Sequence, residues 1–202
     1  STINCTVSST IRDSMDDILA KLHEGGMTLK SGSGIGYDFS TLRPRGAYVS
    51  GADAFTSGPL SFMDIYDKMC FTISSAGGRR GAQMATFDVG HPDVFEFTTA
   101  KRESGRLQHF NLSLMVTDAF MAAVEADGQW PLAFPVTPQE LRDAGLALDG
   151  DDIVWREWPI HDGYITDKQG RVACRVRRVI RARDLWEVIM RSTYDFAEPG
   201  FV

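Results

Sequence analysis

Two hydrophobic periods alternate along this chain, and their order constrains the fold more tightly than anything else in the sequence. Residues 2–8 repeat every second position, with Ile3, Cys5 and Val7 on one side and Asn4, Thr6 and Ser8 on the other. That period predicts a strand with one buried face. Asp13 and Ser14 then open a helix whose apolar residues Met15, Ile18, Leu19 and Leu22 recur at helical spacing, with Gly25-Gly26 as its expected end. A second helix is expected over 59–73, where Phe62, Ile65, Tyr66, Met69, Cys70 and Ile73 make a wide apolar face. Strands are predicted at 83–89 and 110–116, and helices after His91-Pro92-Asp93, over 117–126 and over 182–197, the last burying Leu185, Ile189 and Phe196. Thr137-Pro138-Gln139-Glu140 is a capping-box signature for a short helix ended by Gly145. Residues 153–180 read as β pieces broken at Asp162-Gly163 and Gln169-Gly170, a hairpin excursion. Strand–helix alternation of this kind predicts an α/β fold with mainly parallel strands.

Composition narrows the class of partner. The 202 residues are 43% hydrophobic and 24% charged, enough for a sizeable core, with a net charge of −6. That balance disfavours nucleic acid as a partner, but an Arg cluster can still hold a small anion such as a nucleotide. Three widely spaced cysteines suggest no secreted disulfide framework, and no apolar run is long enough to span a membrane. The first residues lack a signal-peptide core. A cytoplasmic protein is expected, and both ends read as interior to something longer.

Several local features could carry chemistry. Gly32-Ser33-Gly34-Ile35-Gly36 has neither dinucleotide-fingerprint nor P-loop spacing, so a tight turn with close backbone approach is one reading. Gly77-Gly78-Arg79-Arg80-Gly81 is either a solvated loop or one whose guanidinium groups meet phosphates or base edges. Cys5 and Cys70, on apolar faces, read as small core residues. Cys174, near Arg171, Arg175 and Arg177, is placed where a thiol pKa could be lowered, but with no partner visible it reads as structural. His91 reads as a cap or packing residue. No zinc spacing and no Ser-His-Asp grouping is present.

Taken in order, several of these segments resemble one family. Asp13-Ser14-Met15-Asp16, then Gly34-Ile35-Gly36-Tyr37-Asp38-Phe39-Ser40-Thr41-Leu42-Arg43-Pro44-Arg45-Gly46, then Gly77-Gly78-Arg79-Arg80-Gly81-Ala82, then His91-Pro92-Asp93, then Asn111-Leu112-Ser113 with Thr117-Asp118-Ala119-Phe120-Met121 recur in ribonucleotide reductase catalytic subunits. The resemblance covers nearly the whole chain, least distinctively over 127–180. The wording around Tyr37-Asp38-Phe39 and Gln83-Met84-Ala85-Thr86 is most similar to the adenosylcobalamin-dependent class.

The resemblance implies a ten-stranded α/β barrel made of two five-stranded halves, with residues 1–202 a single partial domain forming the first half. It implies that Cys5 is one of two reducing thiols and that Asn4, Gly34 and Arg80 line the substrate. It implies a specificity site for a deoxynucleoside triphosphate (dNTP) effector, with Asp13 on its sugar, Arg43 on its phosphate and Lys30 adding charge. Residues 44–56 and 74–82 match the two specificity loops. The helices at 13–25 and 59–73 match a dimer-forming pair, although their apolar faces would pack equally well on the barrel. Adenosylcobalamin, a ribonucleotide substrate, a thioredoxin-type reductant and a homodimer follow from the same resemblance. The radical cysteine of the family is expected outside this chain, because no segment resembling Asn-Pro-Cys-Gly-Glu occurs here. The isolated chain is therefore expected to be inactive. A regulatory subunit of a split reductase and a purely structural α/β domain are the alternative readings.

Overall fold

A computed structural model describes residues 5–49, 52–75 and 81–202, apart from the side chain of Ser75. Ten strands and six α-helices are named in chain order: β1 (Cys5–Val7), α1 (Met15–Lys30), β2 (Gly34–Asp38), β3 (Tyr48–Val49), β4 (Ala54–Phe55), α2 (Pro59–Ser75), β5 (Gln83–Asp88), α3 (Val94–Thr99), β6 (Phe110–Met115), α4 (Asp118–Glu125), β7 (Gln129–Pro135), α5 (Pro138–Asp143), β8 (Ile153–Arg156), β9 (Val172–Arg181), α6 (Ala182–Phe196) and β10 (Gly200–Phe201).

Five strands form one parallel sheet in the order β1-β2-β5-β6-β10. Spatial order follows chain order, so each crossover advances the sheet in one direction. Right-handed crossovers then stack the helices on a single face. The burial pattern agrees: Ile35, Tyr37, Ala85, Phe87, Phe110, Leu112 and Leu114 point into one core with Ile18, Leu29, Leu60, Met63, Tyr66, Phe97, Leu185 and Ile189 of the helices. The opposite face carries Cys5, Gly34, Gly36, Met84, Thr86, Asn111 and Ser113, which stand beside one another in register and are exposed or half-buried. A parallel sheet covered on one face only has the form expected for half of a barrel. Among the described residues no helix is long and apolar enough to cross a membrane.

Several expectations need correction. The first strand does not bury Cys5 and Val7: Val7 is 85% exposed, and Cys5 is an exposed free thiol. They lie on the open face of an edge strand. Of the glycine-rich stretch Gly32–Gly36, Gly32 does turn the chain, but Gly34–Asp38 is an interior strand rather than a turn. Gly25-Gly26 does not end α1, which runs on to Lys30 before Gly32 turns the chain at φ +85°. Those two glycines serve close packing. A Cβ on Gly25 would stand 1.9 Å from Tyr37 Oη, and one on Gly26 would stand 3.2 Å from Met69 Sδ. On α2 the buried residues are Pro59, Leu60, Met63, Tyr66 and Cys70, while Ile65 is 47% exposed. Phe196 is exposed too.

A buried polar chain joins four of these elements. Tyr37 Oη donates to Gln83 Oε1 at 3.0 Å, Gln83 Nε2 donates to the Tyr66 carbonyl at 3.1 Å, and Tyr66 Oη donates to the Ile18 carbonyl. Each buried polar group thereby keeps a partner, which is the condition for placing it in a core at little cost.

The hairpin excursion is a three-stranded antiparallel sheet, β7-β9-β8, with an isolated bridge from Thr166 to Val172. Pro131 and Pro135 fit because β7 is an edge strand. The sheet docks on the carboxyl end of β5. Ala133 N–H donates to the Gly90 carbonyl at 2.9 Å, and Trp130 Nε1 donates to the Val89 carbonyl at 3.2 Å. Arg156 Nη1 donates to the Gly90 carbonyl at 2.9 Å and Nη2 to the Pro131 carbonyl. The capping box at Thr137 and Glu140 forms as expected, with Gly145 at φ +64° beyond α5.

Candidate functional site

Polar groups gather at both ends of the parallel sheet. At the carboxyl end, Asp13 follows β1 and Arg43 follows β2. Arg43 Nε donates to Asp13 Oδ2 at 2.8 Å and its backbone N–H to Oδ1 at 3.2 Å. The guanidinium also reaches the carbonyls of Tyr48 at 3.2 Å and Asp13 at 3.4 Å. Burial pushes the Asp13 carboxyl above its ordinary value, and the Arg43 charge pulls it back only in part. The pair is not saturated. A guanidinium has five N–H donors, and those contacts of Nε, Nη1 and Nη2 leave one hydrogen on each terminal nitrogen.

The loop holding Arg43 is braced from several sides. Asp38 Oδ1 accepts from Ser40 N–H at 3.0 Å and Ser40 Oγ at 2.6 Å, and Ser40 Oγ accepts from Asp88 N–H at 2.7 Å. His91 is fully buried; its Nδ1 accepts from Asp93 N–H at 3.0 Å, so Nε2 carries the hydrogen that faces the Leu42 carbonyl at 2.8 Å. Of the two roles expected, cap or packing, it fills the packing one, its ring tilted against Phe87 with 4.4 Å between ring centres. Beyond Arg43, β3 and β4 form a small hairpin within 44–56, with Tyr48 and Phe55 exposed.

Asp13 and Arg43 line a cavity of about 550 Å³ whose other wall includes Phe134, Arg175 and Arg177 of the antiparallel sheet and Tyr164 of the β8–β9 loop. These residues were not anticipated as part of a site. Their sequence signal is two arginines close together on one strand; a bulge opposite Leu132 and Ala133 leaves Arg177 without a partner on β7 and interrupts the alternation there, and both side chains line the cavity. Carboxyl ends of parallel strands are where open α/β sheets bind ligands.

At the amino end, Cys5 is in register with Gly34. A Cβ on Gly34 would meet Cys5 Sγ at 3.5 Å and the Ala82 carbonyl at 3.2 Å. The thiol, the glycine and the described flank of the second loop therefore meet on the open face. Asn4 and Arg80, with most of the 74–82 loop, lie outside the described residues. A cavity of about 790 Å³ adjoins that flank, lined by Gly81, Gln83, Lys101, His109 and Asn111 among others.

Lys30 does not join Asp13 and Arg43. It ends α1, whose 16 residues separate it from Asp13 by about 24 Å of helix rise. It belongs to the amino end, with Gly34.

The other two cysteines are inert by environment. Cys70 is fully buried. Cys174 is buried as well, and burial pushes its thiol up to about 12, so the neighbouring arginines do not lower it. Arg156, on the adjacent strand, only partly opposes that burial.

Residues 3–202 match the family model for the ribonucleotide reductase barrel domain. A vitamin B12-dependent ribonucleoside-diphosphate reductase of Mycobacterium tuberculosis (strain CDC 1551 / Oshkosh) is 48% identical over 128 residues, which cover 63% of this chain and 18% of the relative. One of the same name from Thermoplasma acidophilum is 30% identical over 193 residues, covering 95% and 20%. The ribonucleoside-diphosphate reductase subunit alpha of Helicobacter pylori (strain J99) is 28% identical over 201 residues, covering 97% and 24%. The chain spans roughly a fifth of the length of these relatives. With a match along nearly its whole length and a five-stranded parallel sheet, the chain belongs to the ribonucleotide reductase barrel-domain family.

Proposed function

We propose that this chain is the part of a ribonucleotide reductase that selects the substrate, through a dNTP effector bound at Asp13 and Arg43, and that supplies one reducing thiol, Cys5. The observation that carries the reading is the cavity at Asp13 and Arg43, where a half-buried carboxylate and an unsaturated guanidinium share one wall. A carboxylate accepts from a sugar hydroxyl, and a guanidinium donates to phosphate. Cys5 supports the second half of the reading, since its thiol is free and exposed on the open face beside Gly34. In the reaction implied by the family, a thiyl radical on a cysteine outside residues 1–202 removes the ribose 3′ hydrogen. The 2′ hydroxyl leaves as water, and the cysteine pair that includes Cys5 supplies two electrons and becomes a disulfide. A thioredoxin-type reductant restores it, and the cytoplasm is the compartment this reading implies.

The two ends of the sheet bear on oligomeric state. Asp13 and Arg43 stand at the carboxyl end, while Lys30 and the flanks of the second loop stand at the amino end. A twofold pair packed through α1 and α2, with its axis perpendicular to these helices, brings opposite ends together. Met15, Leu19 and Met27 on α1 and Ile65 on α2 are exposed and apolar, as such a surface requires. We read the chain as a homodimer with a composite effector site.

Adenosylcobalamin is the radical source that two of the relatives' names imply; the Helicobacter name does not carry it. Among the described residues the open face offers one thiol, two glycines, the apolar side chains of Val7 and Met84 and the short polar side chains of Thr86, Asn111 and Ser113, which do not amount to a cradle for a corrin. No step of this reading is routed through the cofactor.

Calorimetric titration of the chain with dNTPs tests the effector site. The expected result is saturable binding that Asp13→Ala weakens about tenfold or more, the loss of a charge-assisted hydrogen bond. Unchanged affinity in Asp13→Ala would remove Asp13 from the site.

A further inference from the structure

Arg175 and Arg177 stand two residues apart on β9 and line the same cavity as Asp13 and Arg43. Their charge is not consumed inside the protein. Among the described residues neither guanidinium makes a hydrogen bond or an ion pair, and the neighbours that act on Arg177 electrostatically are Arg175, which repels it, and Glu140, which attracts it. The carboxylates of the same wall are engaged. Asp13 holds Arg43, Glu140 accepts from the Thr137 N–H at 3.4 Å, and Asp143 accepts from the Gln139 amide at 2.7 Å. Two guanidinium groups set side by side against a cavity repel each other until an anion lies between them. A phosphate fits that place, since it takes bidentate bonds from planar guanidinium donors. The rest of the cavity suits the rest of a nucleotide: Tyr48, Phe134 and Tyr164 offer aromatic surface, and Asp13 offers an acceptor. Its volume of about 550 Å³ lies in the range of small-molecule sites.

We infer that Arg175 and Arg177 form a phosphate subsite of the Asp13–Arg43 cavity, so that the antiparallel sheet grips the polyphosphate of a nucleotide bound there. The inference rests on reading that cavity as the effector site. It assigns the antiparallel sheet a role in binding, in addition to bracing the barrel strands.

Titration of the full chain with a dNTP, with the matching nucleoside and with inorganic tripolyphosphate tests it. Wild type is compared with Arg175→Gln/Arg177→Gln and with Arg177→Gln alone, an exposed position that tolerates change. The double variant is expected to bind the dNTP and tripolyphosphate at least about tenfold more weakly, to leave nucleoside binding unchanged and to show a shallower dependence on salt. If the double variant melts early, Arg177→Gln carries the test, with a loss of about tenfold expected. Wild-type dNTP binding that both variants retain overturns the subsite and leaves the effector reading standing. Tripolyphosphate binding lost in the variants, with no dNTP binding at all, upholds an anion subsite and removes the effector reading. No binding of either probe to wild type overturns both.

Discussion

His91 shows how one side chain can set a pH limit on the whole fold. Burial lowers its pKa from 6.5 to about 4, against the opposing effect of its bond to the Leu42 carbonyl. Below about 6.5 the unfolded chain takes up a proton that the folded chain refuses, so stability falls as pH drops from 6.5 towards 4. The loss for a group this buried is on the order of 3 kcal/mol by pH 4. Asp93 acts in the opposite sense: burial lifts its carboxyl to about 6, so it adds stability as pH falls through 6 towards 3.8. The difference between two proteins isolates the first effect. Thermal melts across this window should show a shallower acid limb for His91→Gln than for wild type, and parallel limbs would contradict the account. Gly25 makes a second point at this scale. Alanine there gains about 1 kcal/mol of helix propensity, but its Cβ would meet Tyr37 Oη at 1.9 Å, and overpacking of that kind costs about 1–3 kcal/mol. Gly25→Ala is expected to lower the melting temperature, and a rise would show that α1 can move away from β2.

Elements were legible in the sequence wherever one period held over a full length. Helices α2, α4, α5 and α6 and strands β5 and β6 lie close to their expected bounds. Failures occurred where local chemistry carries two meanings. Gly25-Gly26 reads as a stop but serves close packing, and a glycine-rich strand reads as a turn. Strand β7 went unread because Pro131 and Pro135 mask it, and β10 is two residues long. The docking of the antiparallel sheet was invisible, since it depends on Arg156 reaching carbonyls far away in sequence. Replacing Arg156 by Leu removes donors from the Gly90 and Pro131 carbonyls and is expected to cost about 2–4 kcal/mol in urea unfolding. A loss under about 0.5 kcal/mol would mean that the sheet docks without it.

For the molecule as a whole, sequence order led to the family and to Cys5, Gly34, Asp13 and Arg43, and the structure groups these four residues into two pairs. Sequence order could not reveal that the pairs stand at opposite ends of one sheet, that Lys30 stands at the same end as Cys5 and Gly34, or that Arg175 and Arg177 line the same cavity as Arg43. Those facts depend on helix length and on a sheet inserted between β6 and β10. In the proposed reading the chain carries half of an effector site at each end of the sheet and completes it by pairing through α1 and α2. Sedimentation velocity with and without a saturating dNTP tests this most directly. Adding the dNTP is expected to shift the chain to twice its mass, a shift that Ile65→Glu abolishes together with dNTP affinity. A chain that binds the dNTP fully while remaining a monomer would contradict it.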